Sequence, residues 1–201
     1  MMVSTHILIG GLIGYLFSTA ISVNPVTLAL AGMLGGLIPE LDFLIGHHRK
    51  TLHFPYSYFL LSIPVLILIP FFQAELLILL ATVLVSAGVH SFMDIFAGAE
   101  LRSWDESEWE DTAVYDHIRD KWIQPQRIAY GGSMRDFLLS TICFFSTIYL
   151  INDPKILLIA TGLIVFSVAY TMGIKKASDE IIDGKYATLN GFIRSKLKAL
   201  L

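Results

Sequence analysis

Six apolar segments separated by short polar breaks restrict what this chain can fold into more than any other feature. They span residues 7–23, 26–38, 58–72, 76–96, 137–151 and 156–174. A helix needs about 20 residues to cross ~30 Å of hydrocarbon. The fourth and sixth segments are long enough and the first is adequate, whereas the other three need protein neighbours or a locally thinner bilayer. The pattern predicts an all-α integral membrane bundle of about six helices.

The composition agrees with a protein that lies in a membrane. Of the 201 residues, 55% are hydrophobic and only 15% are charged, while an ordinary soluble domain has about 25% charged residues. The formal net charge of −3 offers no basic surface for nucleic acid, so we expect no nucleic-acid partner. The single cysteine, Cys143, excludes an intrachain disulfide.

Two polar regions interrupt or follow the apolar segments within what we interpret as a single membrane-embedded domain, residues 1–201. An insert at 97–135 contains the acidic run WDESEWED, which is typical of a solvated surface. A loop of this length without structure or function is uncommon, so one or two short helices are expected in it. The tail at 175–201 is amphipathic towards its end, which favours a helix lying on the membrane surface or, equally, packed on the insert.

The sidedness of the bundle follows from counting crossings. If the chain crosses the membrane six times, one side of the membrane carries His6, the break after Pro39, the end of the fourth segment and the insert. Thirteen of the fourteen Lys and Arg residues then fall on that side, and only Lys155 falls on the other. Basic loops face the cytoplasm. The sequence therefore predicts a multi-pass protein of the cytoplasmic membrane, with all six histidines at its cytoplasmic face.

The stretch PELDFLIGHHRKTLHF, residues 39–54, concentrates ionisable side chains between the second and third segments. Those that bear on chemistry are Glu40, Asp42, His47, His48, Arg49, Lys50 and His53. The second segment holds about thirteen residues, or ~20 Å of helix, so this stretch begins below the membrane surface. Taken alone, His47 is typical of a hydrogen-bonded interface residue, and Arg49 and Lys50 of basic anchors at the membrane surface.

A second constellation closes the fourth segment. In VHSFMD, His90 and Asp94 stand four residues apart and share one helix face, and His6 lies in the first turn of its own segment. Ionisable groups at such depth cost several kcal/mol unless they are paired or functional. A divalent ion resolves that cost, and mixed His and carboxylate ligands suit zinc, or manganese or iron. One or more ions are expected, and since five or six such ligands exceed what one four-coordinate zinc needs, there is room for two or more.

These motifs, in this order, resemble the membrane-bound, metal-dependent hydrolases of the LexA-regulated YdjM-like family. Its pattern is Thr-His followed by glycine, Pro-Asp-x-Asp, His-Arg leading to Thr-His-Ser, and His-x3-Asp. The corresponding residues here are Thr5-His6 with Gly10, Pro39-Glu40-Leu41-Asp42, His48-Arg49 leading to Leu52-His53-Phe54, and His90 with Asp94. ELRSW and AVYDHIRDKWI in the insert also resemble archaeal members, so the resemblance covers residues 1 to about 125.

The chain departs from the family pattern at two positions. Glu40 stands where the family usually has Asp, which keeps a carboxylate on a longer arm, and Phe54 stands where it has Ser, which removes a hydroxyl. The order of His and Asp residues is also remotely similar to that of zinc-dependent phospholipase C and the single-strand-specific zinc nucleases. That likeness implies hydrolysis of phosphoesters.

Clustering and resemblance together predict a metal-dependent hydrolase whose site opens at the cytoplasmic membrane face. The expected metal ligands are His6, Asp42, His53, His90 and Asp94. Glu40 is expected to be a ligand or the general base, and His48 and Arg49 to orient a phosphate-bearing substrate, for which a lipid head group is the natural candidate. A metal-ion or solute transporter and a protein merely stapled by metal are the alternatives. For His117, the roles of ligand, gate and structural residue stay open.

Overall fold

The structure is a computed structural model that describes residues 1–21, 23–45, 49–97, 113–126, 128 and 133–182. The described chain is mostly helical, which confirms the helical character of the predicted fold. Its helices are α1 (Val3–Ala20), α2 (Pro25–Leu37), α3 (Asp42–Ile45), α4 (Ser57–Phe72), α5 (Glu75–Met93), α6 (Met134–Ile151) and α7 (Pro154–Ile182), with 3-10 turns at Ile38–Leu41 and Asp94–Phe96.

Each of the six predicted apolar segments corresponds to a helix, although α1 ends at Ala20, three residues before the predicted end of the first segment. Among the described residues, three helices are long and apolar enough to cross a membrane, namely Val3–Ala20, Glu75–Phe96 and Met134–Ile151. Three shorter apolar helices accompany them, at Pro25–Leu41, Ser57–Phe72 and Pro154–Ala169. Six complete crossings therefore stay a prediction.

The turns between helices are built from the residues that the sequence offers for them. The Asn24 side chain accepts hydrogen bonds from the backbone N–H groups of Val26 and Thr27, with Pro25 at the first helical position. Gln73 and Asn152 end α4 and α6 in the left-handed conformation, with φ of 45° and 44°. These tight turns make α1 and α2, α4 and α5, and α6 and α7 sequential neighbours that pack on each other.

Glycines allow α1 and α2 to pack closely against each other. A Cβ atom at Gly14 would overlap the carbonyl oxygen of Leu28, and one at Gly32 would overlap that of Gly10. Two backbones can approach this closely only where side chains are absent, as in the small-xxx-small pattern of membrane helices. The same contact brings Gly36, near the end of α2, against the backbone of His6.

The described part of the insert differs from the prediction of short helices. Residues 113–126 instead contain an antiparallel hairpin of β1 (Tyr115–Asp116) and β2 (Lys121–Trp122). It is anchored on the helical part, since the Tyr115 N–H donates to the Arg49 carbonyl over 3.0 Å, and Ala113 and Val114 pack on Ile95. Residues 98–112 and most of the predicted amphipathic tail, from 183 on, lie outside the described part, and α7 continues to Ile182.

Candidate metal centre

The ends of three helices bring four potential metal ligands together. His6 comes from the first turn of α1, Glu40 from the 3-10 turn after α2, and His90 and Asp94 from the end of α5. His6, His90 and Asp94 are almost completely buried, while the Glu40 side chain is 15% exposed. The glycine contact between α1 and α2 places His6 beside the end of α2, and the packing of α5 on both helices completes the group.

The spacing of these four side chains fits one ion. Each offers a ligand atom within 4.8 Å of those of the other three. His6 Nε2 lies 3.0 Å from Asp94 Oδ1, and His90 Nε2 lies 3.4 Å from Asp94 Oδ2 and 3.6 Å from Glu40 Oε1. Ligand atoms ~2.1 Å from a tetrahedral ion stand roughly 3.4 Å from one another. The donor set therefore needs little rearrangement to bind a cation.

The tautomer of His90 is fixed by its neighbour. His90 donates from Nδ1 to the carbonyl oxygen of Gly36 over 2.6 Å, which leaves a lone pair on Nε2. Within the described part of the chain, this buried Nε2 atom has no hydrogen-bond partner. The His6 ring stacks on that of His90 with centroids 3.7 Å apart. A backbone carbonyl that holds the far nitrogen is the usual support of a metal-binding histidine.

Asp42 and His53 do not belong to the compact group of four. They are connected to it through Asp94. His53 Nδ1 lies 2.7 Å from Asp42 Oδ2, and its Nε2 lies 3.1 Å from Asp94 Oδ2. The three side chains thus form a chain of hydrogen bonds that ends on Asp94. Burial lowers the pKa of His53, but hydrogen bonds to Asp42 and Asp94 and their negative charges outweigh burial, so that its pKa lies above the ordinary value.

Arg49 is the buried cation of the site. Its Nη2 atom lies 3.5 Å from Asp94 Oδ1, and its side chain is almost fully buried. Its backbone adopts the left-handed conformation, with φ of 60°, which is uncommon for a residue other than glycine. The amino group of Met1 lies 2.8 Å from the same Asp94 oxygen. Asp94 is therefore the shared anion of the cluster.

The sequence analysis missed Asp136, which supports the start of α1. This buried carboxylate accepts from the Thr5 hydroxyl over 2.7 Å and from the Met2 N–H over 2.6 Å. It lies in the first turn of α6, where the Ser133 side chain accepts from its N–H. The Ser-x-x-Asp spacing identifies a helix start, but not the distant partner. The contact with Thr5 holds the turn that carries His6.

Of the three remaining histidines, only His117 lies within the described residues. His47 and His48 lie outside the described residues. His117 is exposed on the hairpin, where its ring contacts those of Phe54 and Tyr115 at centroid distances of 4.6 and 5.0 Å. Its position favours a structural role in the hairpin over that of a ligand in the group of four.

Comparison of the chain with protein families, with curated proteins and with solved structures finds no match.

Proposed function

We propose that the protein is a membrane-bound, metal-dependent hydrolase that acts on phosphoesters at the cytoplasmic membrane face. The observation that carries the proposal is the compact group of His6, Glu40, His90 and Asp94 with the orphaned Nε2 atom of His90 at its centre. Neutral imidazoles and carboxylates in this number suit zinc, with manganese or iron as alternatives. The resemblance to the YdjM-like hydrolases and the count of basic residues support the activity and the side of the membrane.

His6, His90 and Asp94 would hold the ion, while Glu40 and Arg49 would act on the attacking water and the substrate. A divalent ion in such a site lowers the pKa of a bound water to about 7. Glu40, the most exposed of the four, would serve as the general base. The Arg49 guanidinium can grip two phosphate oxygens in the plane of its fork.

Asp42 and His53, predicted as ligands, are better suited to orient Asp94. A chain of carboxylate, imidazole and carboxylate fixes which oxygen of Asp94 faces the ion. We assign this role because neither residue belongs to the compact group of four; direct ligation by Asp42 and His53 stays a prediction.

Asp42→Asn is expected to weaken metal affinity about 10–100-fold, the usual effect of losing such a supporting carboxylate. The neutral amide no longer balances the proton on His53, so Asp94 loses its orientation. Competition against a chelator of known affinity measures the change. Asp153→Asn is the matched control, because Asp153 caps α7 at the other end of the bundle and asparagine caps equally well. Equal affinities for both variants would remove Asp42 from the site.

A metal that only staples the helices is the second candidate, and the burial of the donors favours it. His6, Asp42, His53, His90 and Asp94 are all almost inaccessible, as in structural sites in which every position of the ion is taken by protein. The two candidates differ in what Glu40 does, since a staple needs no base.

Glu40→Gln separates catalysis from stapling. The amide keeps size and an oxygen donor but cannot take a proton, so hydrolysis of a chromogenic phosphodiester should fall by about 10²–10⁴-fold while bound metal and thermal stability are retained. Glu75→Gln, at the opposite end of α5, should leave turnover unchanged. Full activity in Glu40→Gln would contradict the assigned base, and joint loss of metal and activity would make Glu40 a ligand.

A further inference from the structure

A groove lies between α4 and the hairpin, outside the candidate metal centre. Its volume is about 360 Å³, within the ~300–1,000 Å³ of small-molecule sites. One wall is formed by residues at the start of α4 and the other by the hairpin. The lining residues are Tyr56, Phe59, Leu60, Ile63, Asp116, Ile118 and Arg119.

The groove is apolar along α4 and ends at a cation on the hairpin. Leu60, Ile63 and Ile118 are all more than half exposed, so the lining and its surroundings form an apolar surface of the kind that contacts lipid or a ligand. The Arg119 side chain is 66% exposed, and its Nε lies 3.8 Å from Oδ2 of the buried Asp116. Asp116 also accepts from the backbone N–H groups of Ile118 and Arg119. This carboxylate therefore fixes the turn that carries the guanidinium.

We propose that this groove binds the hydrocarbon chain of an anionic phospholipid, with the phosphate on Arg119. Guanidinium binds phosphate through parallel N–H donors, and an extended hydrocarbon chain matches the apolar wall.

The groove is connected to the candidate metal centre through the loop that joins them. Tyr56 follows His53 by three residues, and the hairpin is bonded to the backbone of Arg49. Phe59 packs where a side chain at Gly88 would lie, two residues before His90. The inference that the bound lipid is the substrate rests on the proposed function, whereas binding in the groove does not.

Photolabelling of the full chain in phosphatidylcholine vesicles tests the proposal without turnover. The probe is a phosphonate analogue of phosphatidic acid with a diazirine in its acyl chain, because its C–P bond resists hydrolysis. Labelling is expected to concentrate on residues 56–63 and 115–122. Leu60→Trp fills the groove and should reduce labelling about tenfold. Leu61→Trp is the matched control, because Leu61 is as exposed as Leu60, at 57%, and does not line the groove.

Head-group recognition has its own pair of variants. Arg119→Gln should reduce labelling by the phosphonate probe to the level given by a phosphatidylcholine probe, whereas Lys121→Gln, exposed on the same hairpin, should not. Labelling spread over all exposed residues of α4, equal in both tryptophan variants, would show annular lipid only and overturn the proposal. Equal labelling by the two probes in the unmodified chain would overturn the role of Arg119. Failure of hydrolysis with localised labelling would reject the proposed function alone.

Discussion

Asp94→Asn is expected to abolish metal binding and, with it, hydrolysis. Asp94 is the anion shared by the cluster, with oxygens 3.0 Å from His6 Nε2, 3.1 Å from His53 Nε2 and 3.5 Å from Arg49 Nη2. Loss of a supporting residue weakens metal sites by about 10–100-fold, so loss of a direct anionic ligand should exceed that range. Metal analysis of purified, tag-free protein and a phosphodiester assay measure both effects.

Asp94→Asn also removes the negative charge that balances buried positive groups. The folding of this variant therefore has to be measured together with its metal content. Asp94→Glu keeps the charge on a longer arm and is expected to fold with reduced metal affinity. Asp120→Asn is the neutral control, because Asp120 is exposed on the hairpin with φ of 52°, a conformation that asparagine tolerates. Unchanged metal content in a folded Asp94→Asn protein would contradict the assigned site.

Gly14→Ala is expected to destabilise the fold strongly, although it adds only one methyl group. A methyl group there would overlap the Leu28 carbonyl oxygen, and its next neighbours would be the Leu28 carbonyl carbon at 2.5 Å and the Ala29 Cα at 2.9 Å. Backbone atoms cannot move aside as a flexible side chain can, so α1 and α2 must separate. Overpacking of this kind costs about 1–3 kcal/mol and occasionally more, and backbone overlap places Gly14→Ala at or above the upper end.

Gly162→Ala adds the same methyl group, but we expect it to cause no loss of stability. A Cβ at Gly162 in α7 meets nothing within 4 Å, and alanine favours a helix over glycine by up to about 1 kcal/mol. Unfolding in mixed micelles should therefore show a loss of stability for Gly14→Ala and no loss for Gly162→Ala. Metal affinity should fall in Gly14→Ala alone, because α1 carries His6. Equal stability of the two variants would contradict the close backbone contact.

The helices were predictable because their determinants are local. Each apolar segment is bounded by residues that end helices, such as Asn24 with Pro25 and Asn152, and the structure has turns at these positions. The hairpin at 115–122 was not predictable in the same way. Its strands contain two residues each, too few to show an alternating pattern, and its stability depends on contacts with Ile95 and Arg49.

The candidate site also contains one part that the sequence predicts and another part that it does not. The i, i+4 spacing of His90 and Asp94 sets their shared face, and the structure places His90 Nε2 3.4 Å from Asp94 Oδ2. Asp42 and His53 contact the compact group through Asp94 instead of joining it because of where the chain after α3 places His53. The spacing of residues along the sequence does not reveal that placement. Asp136 was missed because its partner, Thr5, is 131 residues away.

A crystal structure with anomalous scattering collected at the zinc edge tests the central claim most directly. An anomalous peak is expected about 2.0–2.2 Å from Nε2 of His6, Nε2 of His90 and an oxygen of Asp94. Glu40 should lie beside the coordination position that these three ligands leave free. A fully loaded sample with no peak among these three residues, or with His6 and His90 turned away from Asp94, would contradict it.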